Sequence, residues 1–134
     1  MTRPRFGLPP SAADLQAIAD EAFATIPEPL RRRVRGVAIL IDEFADDATL
    51  EDLGLDSAYD LLGLYQGISL DQKSVTAPVH DIDRIFLYRA PLLLYWMESG
   101  EALEDVVRNT LIHEIGHHFG LSDEDMERLE ESES

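Results

Sequence analysis

The sequence predicts a small α+β domain, in which an N-terminal helix and a second long helix near the other end pack on a short, twisted, mixed sheet. Apolar residues recur at helical intervals in two segments, over residues 11–26 and after residue 102. Three short runs rich in β-branched and aromatic residues lie between these segments and are typical of strands. The length of 134 residues is that of one domain, which we expect over residues 1–134 with loose tails at 1–10 and 131–134.

The first predicted element is a helix that begins at Ser11. Ser11 and Asp14 form the capping-box pattern that starts many helices. One face of this helix is apolar and consists of Leu15, Ile18, Ala19, Ala22, Phe23 and Ile26. Pro27 and Pro29 are expected to end it, because proline disrupts the helical hydrogen bonding. The basic cluster that follows fits cations at a helix C-terminus better than a site for phosphate or membrane, and comprises Arg31, Arg32, Arg33 and Arg35.

Three strands are expected in the middle of the chain. Residues 37–41 form a β-branched apolar run that suits a buried strand, and residues 61–65 and 82–88 read as two more. The last two are expected to pair as an antiparallel hairpin across a long loop. Residues 42–60 are rich in acids, with three leucines as anchors, and are interpreted as a solvated loop with about one helical turn. A calcium or partner site there is the alternative, although no EF-hand spacing is present.

Two helices are expected in the last third of the chain. Residues 92–98 are predicted to form a short helix that ends at Gly100. The next helix should begin near Ala102, with an apolar face formed by Leu103, Val106, Val107, Leu111, Ile112, Ile115 and Phe119. Gly120 then falls where helices commonly end in a left-handed residue. Such a turn would bring Asp123 back toward this helix.

Charge and composition exclude several classes of function. The chain has 27 acidic and 11 basic residues and a net charge of −16, so we expect no nucleic-acid partner. The absence of cysteine excludes disulfides and thiolate metal ligands. The first ten residues lack the apolar core of a signal peptide, and the longest apolar run, residues 90–97, is too short to span a bilayer. A cytoplasmic protein with no membrane partner is therefore expected.

The pattern H-E-x-x-H-x-x-G-x-x-D over residues 113–123 has more specific chemistry than any other segment. Residues four apart on a helix share a face, with Cβ atoms about 5–6 Å apart. The imidazoles of His113 and His117 can therefore converge on one Zn²⁺, while Glu114 is offset and free to act as a base. The alternative is that both histidines are polar surface residues bonded to backbone or water.

This segment resembles the zincin metallopeptidases, and more narrowly the minimal zincin family of small bacterial zinc metallopeptidases, in which H-E-x-G-H-H-F-G-x-[ST]-[DE] closes a short domain. The likeness extends to residues 63–67 and 85–92 and so covers most of residues 34–130. The resemblance implies a zinc cofactor bound by His113 and His117, with Glu114 as the general base and Asp123 as the third ligand. The metzincin pattern has a histidine at the position of Asp123.

Asp123 also has a structural interpretation. Ser122 is a good N-cap for a final helix, with Asp125 in the capping-box position, and Asp123 would then be a first-turn acid favoured by the helix dipole. One carboxylate can serve both purposes. Glu124 and Glu127 are the substitutes considered for the third ligand. His118 points about 100° away from His117 and is expected to pack rather than bind metal.

The function that the resemblance implies is zinc-dependent hydrolysis of peptide bonds. Glu114 would take a proton from the attacking water and return it to the leaving amine. By the same resemblance, residues 85–89 are the expected exposed edge strand that pairs with an extended peptide substrate. By residue type, Tyr88, Tyr95, Arg89 and His80 are possible oxyanion partners. A zinc-containing module that binds peptide without cutting it, and a purely structural metal site, are the alternatives.

Overall fold

The structure is a computed structural model and describes residues 7–34, 36–67 and 83–132. Arg35, His80 and Ile82, the first residue of the strand expected at 82–88, lie outside this range. The elements in chain order are α1 (Ala12–Thr25), α2 (Glu28–Arg31), β1 (Ala38–Asp42), α3 (Asp47–Leu53), a 3-10 turn (Ala58–Asp60), β2 (Gly63–Gln66), β3 (Arg84–Tyr88), α4 (Arg89–Ser99), α5 (Leu103–His118) and α6 (Asp123–Ser132). The α+β class with a mixed sheet is therefore confirmed.

Helix α1 begins as its sequence predicts. The Ser11 side chain accepts a hydrogen bond from the Asp14 amide at 3.0 Å, and Asp14 accepts one from the Ser11 amide at 2.9 Å. These hydrogen bonds hold the pKa of the Asp14 carboxyl below its usual range. The buried side of the helix is the predicted one, with Leu15, Ala19, Ala22 and Ile26 in the core.

The prolines after α1 act differently from each other. Helix α1 ends at Thr25, before Pro27, whereas Pro29 lies in the first turn of the short helix α2 and does not end a helix. Proline is tolerated there because its missing amide has no intrahelical partner at that position. The Arg31 guanidinium donates to the carbonyls of Ala24 and Ile26 at the end of α1, at 2.7 and 3.0 Å. This arginine therefore serves a helix C-terminus, as predicted.

The sheet has the order β1-β3-β2, with β1 parallel and β2 antiparallel to β3. The predicted antiparallel pairing of the second and third strands is thus confirmed. The prediction that residues 85–89 form an exposed edge strand is wrong, because β3 pairs on both sides and its Ile85 and Leu87 are fully buried. Arg89 is already the first residue of α4. Within the described residues, the sheet edges are β1 and β2.

Two further elements are longer than expected. The acidic segment contains α3, which has seven residues rather than one turn; Asp46 caps its start by accepting from the Thr49 amide, and Gly54 ends it with φ 70°. Leu53 is 47% exposed and does not anchor the segment. Helix α4 begins three residues earlier than predicted and ends at Gly100 with φ 74°, as expected. Helix α6 includes residues 131 and 132, which were expected in a loose tail.

The core lies between the sheet and helices α1, α4 and α5. Its fully buried side chains include Leu15, Ile85, Leu87, Leu92, Val107, Leu111 and Ile115. In the described residues, no helix combines the length and apolar character needed to cross a bilayer. The fold therefore fixes α5 against β2 and α1, and leaves one face of α5 open to α6.

Candidate metal centre

Helix α5 presents the two motif histidines on one face. Its buried side carries Val107, Leu111 and Ile115, while His113 and His117 lie on the adjoining, partly exposed side. Their ring centroids are 5.9 Å apart. This separation agrees with the one-face placement that their spacing predicts.

The end of α5 reverses the direction of the chain. Gly120 has φ 79°, its amide donates to the His117 carbonyl at 3.1 Å, and the Leu121 amide donates to the Gly116 carbonyl at 2.8 Å. This pair of bonds is the Schellman motif, which requires a left-handed residue at its turn. The predicted role of Gly120 is confirmed, and α6 returns alongside the histidines.

Helix α6 begins with the second predicted capping box. The Asp125 amide donates to Ser122 Oγ at 3.1 Å, and the Ser122 amide donates to the Asp125 carboxylate at 3.4 Å. Hydrogen bonds from Ser122 and Arg128 hold the pKa of Asp125 below its usual range. Asp123 is therefore a first-turn acid, and it is also 3.7 Å from His117 Nε2. The two interpretations of Asp123 are compatible in this geometry.

Helix α6 packs directly on α5 at Gly116. A Cβ atom at this glycine would lie 2.5 Å from the sulfur and 2.8 Å from Cγ of Met126, which is fully buried. Further along, the buried Arg108 of α5 donates from Nη1 to the Glu130 carbonyl at 3.2 Å and from Nε to Thr25 of α1 at 3.2 Å. The position of α6 is thus fixed near both of its ends.

This docking brings Glu130 to His113. Glu130 Oε2 lies 2.5 Å from His113 Nε2, yet this buried oxygen accepts no hydrogen bond from the part of the chain that the structure describes. Glu130 was not among the residues expected in the site, and the two substitutes considered, Glu124 and Glu127, are exposed. The spacing of the acids in α6 could have predicted this residue. Glu130 follows Asp123 by seven residues, so both lie on the same helix face.

Glu114 lies on the neighbouring side of α5, against β2. Its Oε1 accepts a hydrogen bond from the Tyr65 amide at 3.1 Å. Burial raises the pKa of the Glu114 carboxyl, although the Tyr65 hydrogen bond and the nearby His117 and His113 oppose the rise. Tyr65 was not predicted as a site residue, because its contribution is a main-chain amide that no side-chain pattern reveals.

The remaining motif histidine packs against the strand. The His118 ring stacks on Tyr65 with centroids 3.9 Å apart and planes 13° apart, and meets Phe119 edge-on. A Cβ atom at Gly67 would lie only 2.8 Å from His118, so this glycine lets β2 pass close to the ring. His118 is therefore a packing residue, as the sequence predicts.

A cleft of about 410 Å³ runs between β2 and α5. Its lining includes Leu61, Leu62, Gly63, Tyr95, Glu101, Thr110, His113, Glu114 and Glu130. Of the residues considered as oxyanion partners, Tyr95 lines this cleft and donates to Glu101 at 3.3 Å, Tyr88 is buried, and Arg89 binds Glu43 and the Pro10 carbonyl. The fourth, His80, lies outside the described residues.

We refer to His113, His117, Asp123 and Glu130 as the donor cluster. Two imidazoles and two carboxylates are donors that suit Zn²⁺, and a cation would satisfy the buried Glu130 oxygen, which accepts no hydrogen bond from a described residue. The donors meet in two pairs, His113 with Glu130 and His117 with Asp123. Across the described ranges, no three such side chains form a group that could already hold a metal ion. The chemistry of the cluster fits a metal, while the complete ligand set stays a prediction.

The chain matches a known protein family. The family model of the zincin-like metallopeptidases matches residues 34–133 of the chain. The matched segment begins before β1 and includes α6, so that it contains the whole donor cluster, Glu114 and Tyr65. No curated protein matches the sequence.

Proposed function

Since the chain belongs to the zincin-like metallopeptidase family, we propose that it is a zinc-dependent peptidase in which Glu114 is the general base. The family implies a metal cofactor, typically zinc, and a peptide substrate. The observation that carries the proposal is the position of Glu114, which lines the cleft next to His113 and is held by the Tyr65 amide. The test is hydrolysis of a complex peptide mixture by protein whose zinc content has been measured.

In this proposal His113 and His117 bind the zinc and Asp123 is the third ligand. The two rings share one face of α5, and the Asp123 carboxylate is 3.7 Å from His117 Nε2. When bound, zinc supplies a Lewis acid that polarises the peptide carbonyl and makes water a stronger nucleophile near neutral pH. The protein residues hold this ion beside Glu114.

Glu114 is suited to accept and return a proton. Its raised pKa makes the carboxylate a stronger base than an exposed glutamate, and the Tyr65 amide fixes one of its oxygens. The second oxygen is then available to take a proton from the attacking water. After the carbonyl has been attacked, Glu114 gives this proton to the leaving amine.

The proposed binding edge for an extended peptide is β2 rather than β3. The Tyr88 amide donates to the Leu62 carbonyl. Because only alternate residues of an antiparallel strand bond to their partner strand, the main-chain groups of Gly63 and Tyr65 point away from β3. The Tyr65 amide is bound by Glu114, and Gly63 lines the cleft. A peptide in the cleft would form main-chain hydrogen bonds with this edge, and these bonds would depend little on the peptide's sequence.

A structural metal site is the second candidate function, and the position of Glu130 favours it. Four protein donors would give a closed site, whereas a catalytic site keeps one position open. Turnover separates the two candidates, since a structural site would bind zinc and stabilise the fold without any hydrolysis that depends on Glu114.

The first prediction is that the purified protein contains about one zinc ion per chain and that His113→Ala removes most of it. The loss is expected because a neutral imidazole is replaced by a methyl group that has no donor. Elemental analysis of protein purified without chelator measures it. His118→Ala is the matched control, since this neighbouring ring stacks on Tyr65. An alanine variant at His113 with the zinc content of the parent would refute the ligand assignment.

A second prediction concerns Asp123. If Asp123 is a ligand, the variants Asp123→Ala and Asp123→Asn should bind zinc much more weakly than the parent. Competition with a chromogenic chelator measures their zinc affinity. As a first-turn acid alone it would contribute only about 0.3–1 kcal/mol to stability, and asparagine would preserve much of the helix start. Glu124→Ala is the control, because this exposed acid occupies the same turn. Parent-like affinity in both Asp123 variants would assign the residue to the helix start only.

A further inference from the structure

The Glu130 carboxylate is in an unusual environment for an acid on a surface helix. Its side chain is only 20% exposed, and Oε2 is buried without a hydrogen-bond donor from any described residue. A buried carboxylate oxygen has lost its water and needs a cation or a hydrogen-bond donor in its place. His113 Nε2 lies 2.5 Å from this oxygen, at the distance of an ion pair. An imidazole nitrogen and a carboxylate oxygen are both donors that suit Zn²⁺, and a small side-chain rotation would open space for the ion between them.

The backbone of α6 holds Glu130 at this position. Arg108 donates to the main-chain carbonyl of Glu130 itself, and Met126, one turn earlier, is fully buried against Gly116. The carboxylate therefore starts from an anchored Cα. The other acids of this part of α6, Glu127 and Glu131, are exposed and lack this placement.

Glu130 also lines the cleft together with Glu114 and His113. Water or a peptide carbonyl that enters this cleft would therefore meet the Glu130 carboxylate as well as His113 and Glu114. A glutamate side chain has three rotatable bonds, so it can turn into the cleft while its backbone stays fixed.

We propose that Glu130 is a displaceable fourth ligand, which binds the zinc in the resting protein and leaves it when substrate enters the cleft. This inference rests on the proposed function, since it assumes a zinc held by His113, His117 and Asp123. It reconciles the four donors of the cluster with a catalytic role. The site is closed at rest and opens by movement of one side chain.

The experiment compares Glu130→Ala and Glu130→Gln with the parent and with Glu127→Ala, an exposed acid on the same helix. Zinc affinity is measured with a chromogenic chelator, and the zinc is then replaced by Co²⁺ to record the visible absorption spectrum. Acetohydroxamate, a small bidentate metal ligand, is titrated into the cobalt proteins. Removal of the fourth ligand should weaken zinc binding by at least about 10- to 100-fold, the range found even for residues that only support ligands. It should also shift the cobalt bands and tighten acetohydroxamate binding, while Glu127→Ala should match the parent.

Four results would overturn the proposal. Parent-like zinc affinity, cobalt spectra and acetohydroxamate binding in both Glu130 variants would show that the carboxylate is not a ligand. Weaker zinc binding with unchanged acetohydroxamate binding would mean that Glu130 only supports His113. A parent protein that binds no zinc would refute the proposed function together with this inference, whereas normal zinc binding and Glu114-dependent hydrolysis in all variants would refute the inference alone.

Discussion

Replacement of Glu114 by glutamine should slow peptide hydrolysis by orders of magnitude and leave zinc bound. Glutamine keeps the shape of the side chain and can still accept the Tyr65 hydrogen bond, but it cannot take a proton from water. A positioned general base contributes about 10²- to 10⁴-fold to rate, and a loss of this size in kcat is expected.

The measurement pairs zinc analysis with turnover of a peptide that the parent cleaves. Glu104→Gln on the same helix is the control, since this exposed residue is in the first turn of α5 and far along the chain from the motif. Loss of zinc in the Glu114 variant would make Glu114 a ligand or an essential support for one. Retained hydrolysis would remove it as the base.

Glu114→Gln should also change how the stability of the metal-free protein depends on pH. Burial raises the pKa of Glu114 above 4.5, so the native state holds this proton more tightly than the unfolded state. Stability therefore falls as the pH rises from the unfolded value through the raised native pKa. Glutamine does not titrate, so the variant should melt at a higher temperature than the parent at neutral pH. The difference should vanish below about pH 4, and a variant that is less stable at neutral pH would contradict this.

The second large effect is expected at Gly116. In Gly116→Val, the new side chain would collide with the buried Met126, whose sulfur lies 2.5 Å from the position of a Cβ atom. Such overpacking typically costs about 1–3 kcal/mol, and it should also lower zinc affinity because α6 carries two of the four donors. Thermal unfolding and chelator competition measure the two effects.

The double variant Gly116→Val, Met126→Ala tests this explanation. Met126→Ala alone leaves a cavity and should cost about 2–5 kcal/mol. If the two side chains compete for the same space, the double variant will be less destabilised than the sum of the single variants. Additive losses would show that Gly116 matters for another reason.

The parts of the fold that the sequence predicts are those controlled by neighbouring residues. The capping boxes at Ser11 and Ser122 and the left-handed turn at Gly120 each depend on contacts within about four residues, and all three are present. The shared face of His113 and His117 follows from helical geometry in the same way. The sequence does not predict the full extent of α3, although Asp46 and Gly54 mark its ends, because its acidic composition is equally typical of a solvated loop.

The features that were not predicted depend on packing between distant segments. The central position of β3 arises from its pairing with β1, 46 residues earlier. No local pattern distinguishes a central strand from an edge strand when both are short and apolar. Tyr65 reaches Glu114 across 49 residues through a main-chain amide. Glu130 becomes a site residue only once α6 is known to fold back on α5.

The reversal of the chain at Gly120 allows all four members of the donor cluster to come from one short segment, residues 113–130. The loop that must close around an ion is therefore short also in the unfolded chain, and its entropic cost is small. The unfolded chain can therefore also capture zinc through the same side chains. Binding to both states cancels part of the stabilisation that native-state affinity alone would give. Added zinc should raise the melting temperature by less than the dissociation constant of the folded protein implies.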